Sequence, residues 1–302
     1  MHKIGLSFAI HQEGGPLRSQ RLSSTITALL FAFAPLIPVH EIPDLEEAPL
    51  WEIGVGGGGI YTPDYPGSNQ NHFWAIPFPF LIYRGEILHS DRRGGTRARL
   101  FQSSAYELNL SAGGALPSNS SQNDARAGMP NLEWLGELGP RLTVDLLAYT
   151  SGRTLRLGLP LRAAFASDFR RLRDVGYIFA PELLLDMPHL FGDRIDAFSL
   201  LTVSFADRRF NNYFYEIKAD YAQPGRPAYS ARSGYFQSDL AVGLTFPFDS
   251  LGLKVFTYGS IQSLNGSVNE NSPLVKTKFN SSVSLVLIWV FGKSERIVFT
   301  DD

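Results

Sequence analysis

Beyond His40 the chain carries three histidines, His72, His89 and His189. A histidine beside a hydroxyl or a carboxylate is the minimum needed for nucleophilic or general-base chemistry. His89 is followed by Ser90 and Asp91, but consecutive residues of an extended strand point to opposite faces. His72 falls in an expected loop and His189 in an expected turn at the other end of the molecule, so the two cannot share a site. The run Gly54–Gly59 (GVGGGG) suggests a phosphate cradle at first sight. No Lys-Ser/Thr pair follows it and no helix starts there, so an anion site lacks its parts. In a strand, such a run lets neighbouring groups approach closely. The chain has no cysteine, which removes thiolate chemistry and Cys-held metals. No catalytic, cofactor or metal site is expected.

A second set of charged residues is more ordered. Leu155, Leu157, Leu159 and Leu161 alternate with Arg156, Gly158, Pro160 and Arg162. Tyr106, Leu108 and Leu110 alternate with Glu107, Asn109 and Ser111, and Leu240, Val242, Leu244 and Phe246 with Asp239, Ala241, Gly243 and Thr245. A period of two is that of a strand with two unlike faces. The polar faces collect Glu52, Glu107, Asp145, Glu182, Asp186 and Asp239 against Arg156, Arg162 and Lys254. All nine are expected on one side of a closed sheet, where burial requires them to pair or stay hydrated. Arg162 is expected to meet Glu182 or Glu107.

Further strand candidates are Trp51–Tyr61, Phe73–Tyr83, Leu132–Ala148, Val175–Asp186, Ile195–Phe205 and Leu253–Ser263. At about ten residues they match tilted membrane-crossing strands rather than the shorter strands of soluble sheets. Trp51, Tyr61, Phe73, Trp74, Tyr83, Tyr149, Trp289 and Phe291 sit at strand ends, where interfacial girdles belong. The fold expected is all-β, a transmembrane antiparallel up-and-down β-barrel over residues 51–292, with twelve strands, or ten as the alternative. Arg84–Glu86, Thr150–Arg153 and Asp249–Gly252 read as periplasmic turns. Thr62–His72, Leu116–Asn131, Asp207–Arg232 and Leu264–Thr277 read as extracellular loops. Charged residues are 19% of the chain, against about a quarter in soluble domains, and the formal charge is only -2, which leaves no basic field for nucleic acid.

Ahead of the barrel, Arg18, Arg21 and the apolar Ile26–Ala34 read as an export signal within residues 1–40. Residues 41–50 read as an acidic linker. At the other end, Val283, Leu285, Leu287, Trp289 and Phe291 form the last ladder, with Trp289 and Phe291 as the assembly signal and residues 293–302 as a dispensable polar tail.

Five segments in order carry a family resemblance: Trp51–Gly56 (WEIGVG), Pro63–Ser68 (PDYPGS), Pro77–Gly85 (PFPFLIYRG), Leu159–Ala164 (LPLRAA) and Asn271–Val275 (NSPLV). Together they resemble the MipA/OmpV family of outer-membrane proteins, the MltA-interacting protein family. Motif residues on this chain are Pro63, Asp64, Tyr65, Gly67, Ser68, Tyr83, Arg84, Gly85, Pro160, Arg162, Ser272, Pro273 and Leu274. Tyr213–Ile217 departs from the family's Tyr-Tyr-Gly-Val-like segment by lacking the glycine. The resemblance implies a barrel in the outer membrane of a Gram-negative bacterium, in contact with lipopolysaccharide. It also implies a scaffolding role toward a periplasmic murein hydrolase or synthase, a role that no motif residue carries over. The reading is therefore a non-enzymatic envelope scaffold. A narrow solute channel is the first alternative, and a rim lipid-modifying enzyme the second, for which Arg92, Arg93, Arg97 and Arg99 would meet phosphates.

Overall fold

The computed structural model describes residues 46–83, 89–91, 95–97, 99–102, 106–149, 152–190, 195–248 and 252–300. The signal-like segment, Arg84, Gly85, Arg92 and Arg93 lie outside the described residues.

The strands run in chain order as β1 (Glu46–Pro49), β2 (Trp51–Pro63), β3 (Asn71–Tyr83), β4 (His89–Asp91), β5 (Gly95–Arg97), β6 (Arg99–Gln102), β7 (Tyr106–Ala115), β8 (Trp134–Ala148), β9 (Thr154–Ser167) and β10 (Leu172–Phe179). They continue as β11 (Glu182–Met187), β12 (Asp196–Ala206), β13 (Gly234–Phe248), β14 (Leu253–Ser263), β15 (Phe279–Lys293) and β16 (Ile297–Thr300), with one α-helix, α1 (Arg208–Tyr215). From β6 to β15 the wall is built from sequence neighbours, all antiparallel, and β15 then pairs with β2 and β2 with β3. A meander whose first and last wall strands adjoin is an up-and-down barrel. The β4–β5 hairpin lies between β3 and β7 in sequence. With β10 and β11 counted as one, eleven strands make up this wall among the described residues.

β10 and β11 share one place in the wall, both pairing with β9 and β12. The break falls at Ala180 and Pro181, because Pro181 has no N–H to give the ladder. Its carbonyl still accepts from Val203 N–H at 2.9 Å, and Ala180 N–H donates to Pro160 O at 3.2 Å. Proline also marks one edge of β3. Pro77 and Pro79 lie within an unbroken thirteen-pair ladder with β2. That ladder must therefore be carried by the even-numbered residues of β3, and both prolines face the opposite edge.

Alternation sorts the two faces. On β15, Val283, Leu285, Leu287, Trp289 and Phe291 are exposed while Ser284, Val286 and Ile288 are buried. On β2, Trp51, Ile53 and Val55 are exposed and Glu52 is buried. A continuous exposed apolar belt around a sheet is a lipid-facing surface. No helix among the described residues is long and apolar enough to cross a membrane, which says nothing about strands.

Two apolar clusters form inside. One, at the loop end, gathers Tyr65, Leu132, Phe210, Phe214, Tyr215, Phe236, Leu264 and Leu274. The other lies on the lumen wall, where Phe256, Val286 and Ile288 pack with Phe78, Phe80 and Val290. The glycine run serves the second cluster: a Cβ on Gly56 would stand 2.4 Å from the Phe78 ring. At the turn end β1 pairs with β16, Glu46 opposite Thr300 and Pro49 opposite Ile297. Leu50 N–H donates to Arg296 O at 2.8 Å, and Ser294 N–H to Trp51 O at 2.9 Å. Ile297–Thr300, within the expected polar tail, is thus a strand, because residues of the linker segment supply its partner.

Candidate functional site

The long loops do not fan outward; they fold into a cap with its own core. Tyr65 is fully buried and its hydroxyl donates to Leu274 O at 2.8 Å. Burial pushes that hydroxyl above its ordinary range, against the opposing pull of nearby Arg126, so it remains a neutral donor. Gly67 adopts a left-handed backbone, φ 90°. There its N–H donates to Asn280 Oδ1 at 2.7 Å and its carbonyl accepts from Lys276 N–H at 2.7 Å. A side chain would be strained at that φ and would press on Leu264 and Val275. Helix α1 locks the arrangement. Tyr215 Oη donates to Pro66 O at 3.1 Å, and Ser272 Oγ donates to Tyr215 O at 3.3 Å.

Two buried arginines staple the cap through backbone carbonyls. Arg126 donates to Phe214 O at 3.0 Å and Pro130 O at 3.1 Å, with its guanidinium 5.6 Å from the Tyr65 ring centre. Arg226 donates to Ala125 O, Ala127 O and Tyr221 O at 2.9–3.0 Å. Asp64 accepts from Asn123 Nδ2 at 2.6 Å and pairs with His72 Nδ1. Asn123 Nδ2 also reaches Ser68 Oγ at 3.1 Å. His72 is therefore a strut between the first motif loop and β3.

Beneath the cap, the wall of β8, β9 and β11 carries three acid–base pairs stacked along the barrel axis. Nearest the cap, Arg162 Nε meets Glu137 Oε2 at 2.9 Å, and Arg162 Nη1 donates to Ser111 Oγ at 3.2 Å. Arg141 pairs with Glu182 at mid-height, and Arg156 with Asp186 nearest the turns. Thr154 Oγ1 donates to Asp186 at 3.1 Å. Glycines make the room: a Cβ on Gly113 would stand 2.9 Å from Glu137 Oε2, and one on Gly158 would stand 2.7 Å from Glu182 Oε1. Across the barrel, Lys254 Nζ lies 3.5 Å from Glu52 Oε2.

The sequence-derived residues therefore separate into two groups. Glu52, Lys254, Arg156, Asp186, Glu182 and Arg162 lie on the inner wall in ion pairs. Glu107 shares that face, where its charge acts on Arg141. Asp239 is half-buried opposite Gln262. Asp145 stands opposite Arg156 in the ladder but is exposed at the turn end, just before a bulge at Leu147. The expected partners of Arg162 are corrected: neither Glu182 nor Glu107 but Glu137 takes it, because Glu137 lies opposite Ala164 on β8, within one turn of the pleat. Glu137 and Arg141 do not stand out in the sequence, since Pro140 and glycines blur the period on β8. Of the motif residues, Pro63, Asp64, Tyr65, Gly67, Ser68, Ser272, Pro273 and Leu274 belong to the cap. Pro160 faces the lumen and Tyr83 ends β3 on the outside. Trp289 and Phe291 are exposed near the end of β15, their rings 5.7 Å apart. His189 lies in the turn after β11, its N–H donating to Asp196 Oδ1 at 3.0 Å. Among the described residues, no group of His, Asp and Glu could hold a metal ion.

Residues 55–291 match the family model described as MltA-interacting protein MipA. The chain belongs to this family. It is a transmembrane β-barrel of the outer membrane. The matched span takes in both the cap motifs and the wall strands from within β2 to within β15. No curated protein matches the chain by sequence. Among solved structures it is distantly similar to outer-membrane-expressed OmpT of Vibrio cholerae, at 7% identity and a TM-score of 0.37, covering 83% of this chain and 100% of that one. It is also distantly similar to the translocator domain of the autotransporter NalP from Neisseria meningitidis, at 11% identity and a TM-score of 0.38, covering 82% and 91%.

Proposed function

We propose that this barrel is a non-enzymatic scaffold, holding a murein hydrolase or synthase at the periplasmic face of the Gram-negative outer membrane. The loop end then faces outward, and the turns and the β1–β16 sheet face the periplasm. The family's name supplies the partner class. The observation that carries the reading is the β1–β16 sheet at the turn end, a paired surface tied to the wall by Leu50 N–H to Arg296 O and Ser294 N–H to Trp51 O. The test is site-directed cross-linking in cells carrying a lytic transglycosylase. A photo-reactive residue at Arg153 or Lys293 should capture it, and one at Ala222 should not. Capture from Ala222 alone, or from none of the three, would overturn the proposal.

A narrow solute channel is the second reading, favoured by the unlike lumen walls. Ion pairs line β8, β9 and β11, whereas Phe78, Phe80 and Phe256 line the opposite side. Conductance in planar bilayers, raised when Arg141 and Glu182 are both replaced by Ser, would support it.

A further inference from the structure

The hairpin tip joining β9 to β10 has features that the cap and the lumen do not use. Phe169 and Leu172 are 74% and 71% exposed, the two most exposed large hydrophobic side chains among the described residues. Phe169 also adopts a left-handed backbone, φ 66°, a conformation an aromatic residue rarely takes. The strain is held in place by built contacts. Ser167 Oγ accepts from Phe169 N–H at 3.0 Å, and Asp168 Oδ1 accepts from Arg170 and Arg171 N–H at 2.9 and 2.8 Å. The result is an aromatic ring pushed off the rim, 5.9 Å from the ring of Trp134 at the start of β8.

Charge surrounds this knob. Arg170 and Arg171 are exposed and make no ion pair among the described residues, although the Asp168 carboxylate that accepts their backbone N–H groups also feels the Arg171 charge. Beside them Arg173 pairs with Glu133 and Arg209 with Asp174, which leaves a net positive rim. Directly below, Leu161, Tyr177 and Phe179 on β9 and β10 belong to the exposed apolar belt. The tip thus stands at the level where acyl chains give way to headgroups. Exposed apolar groups there gain by entering the acyl boundary, while arginine forks fit phosphate oxygens. A free phosphate would leave Phe169 and Leu172 in water.

We propose that the tip Asp168–Leu172 is a binding site for the phosphorylated glycolipid of the outer leaflet. Arg170 and Arg171 bind a sugar-borne phosphate, and Phe169, Leu172 and Trp134 lie against its acyl chains. The proposal rests on the outward orientation of the loop end adopted above.

The experiment uses the full chain in phosphatidylcholine nanodiscs doped with bisphosphorylated lipid A, dephosphorylated lipid A or phosphatidylglycerol, with bound lipid counted by native mass spectrometry. The wild type should retain bisphosphorylated lipid A at least tenfold better than the other two. R170Q/R171Q should lose that preference, and F169S/L172S should weaken retention of both lipid A forms, each variant remaining heat-modifiable on gels as a sign of a folded barrel. Equal retention of all three lipids by the wild type, or an unchanged preference in R170Q/R171Q, would overturn the site. Labelling of A222C on intact cells tests orientation separately. Failure to label would refute the orientation while leaving the nanodisc result standing.

Discussion

Replacing Arg162 by Met removes one member of the ion pair nearest the cap while keeping most of the side-chain volume. The Nε–Oε2 separation is 2.9 Å, and both side chains are about nine-tenths buried. At an effective dielectric of about 20, such a pair attracts by about 6 kcal/mol before desolvation is subtracted. Removing one partner leaves the Glu137 carboxylate without its counter-charge and Ser111 Oγ without its donor, a loss of about 3–5 kcal/mol. Replacing both Arg162 and Glu137 by Met removes the stranded charge, so the double variant should be much closer to wild type than the single one. The assay is urea unfolding in detergent, read by tryptophan fluorescence and by the gel shift of folded barrel, run as a double-mutant cycle. The same cycle with Glu182 should give little coupling, because Glu182 is held by Arg141. The reasoning fails if Arg162→Met leaves the midpoint unchanged, or if Glu182 couples to Arg162 more strongly than Glu137 does.

Three further outcomes follow from the same geometry. Gly158→Val should push the Arg141–Glu182 pair off its seat and destabilise the barrel by about 1–3 kcal/mol in the same unfolding assay. Arg126→Gln should strand carbonyls of two loops, and added protease should then cut residues 116–131 on intact cells while the barrel stays inserted. The Glu270 carboxylate is held below its ordinary range by the Gly266 N–H and by Lys278, so its ordering of that loop is present above the ordinary carboxylate range and lost as pH falls through the lowered value. Faster amide exchange at Gly266 in acid, corrected for intrinsic rates, is the measurement.

Much of the wall was legible because a strand's period assigns faces directly. Arg156 and Arg162 could be placed on the polar face from the leucines between them. A face is not a partner, however. Which acid meets Arg162 depends on register between β8 and β9, and the bulge before Leu147 is set by pairing, not by composition. The break between β10 and β11 could have been read from Pro181 but was hidden by the apolar residues around it. The cap was the least legible part. Helix α1 has only eight residues, and its one local signal is Asp207, whose side chain accepts Phe210 N–H at 2.8 Å. Its aromatics bury themselves only because Phe236, Leu274, Leu132 and Tyr65, from four separate stretches of the chain, supply the other half of the core, and no local pattern encodes that.

The β1–β16 ladder has a kinetic meaning that its small size conceals. The first and last wall strands, β2 and β15, pair with each other and are the two wall strands farthest apart along the chain. Bringing ends together across some 250 residues costs on the order of 5 kcal/mol in loop-closure entropy. β1 and β16 adjoin those two strands directly, each beyond the lipid-facing belt. They can therefore pair in water before the wall is complete, and the entropy is then spent at an accessible clasp and not within the bilayer. Once the clasp holds, β2 and β15 meet as neighbours on a short tether, and the seam closes from the turn end toward the cap. The longest-range contact of the wall becomes, in the order of events, a local one.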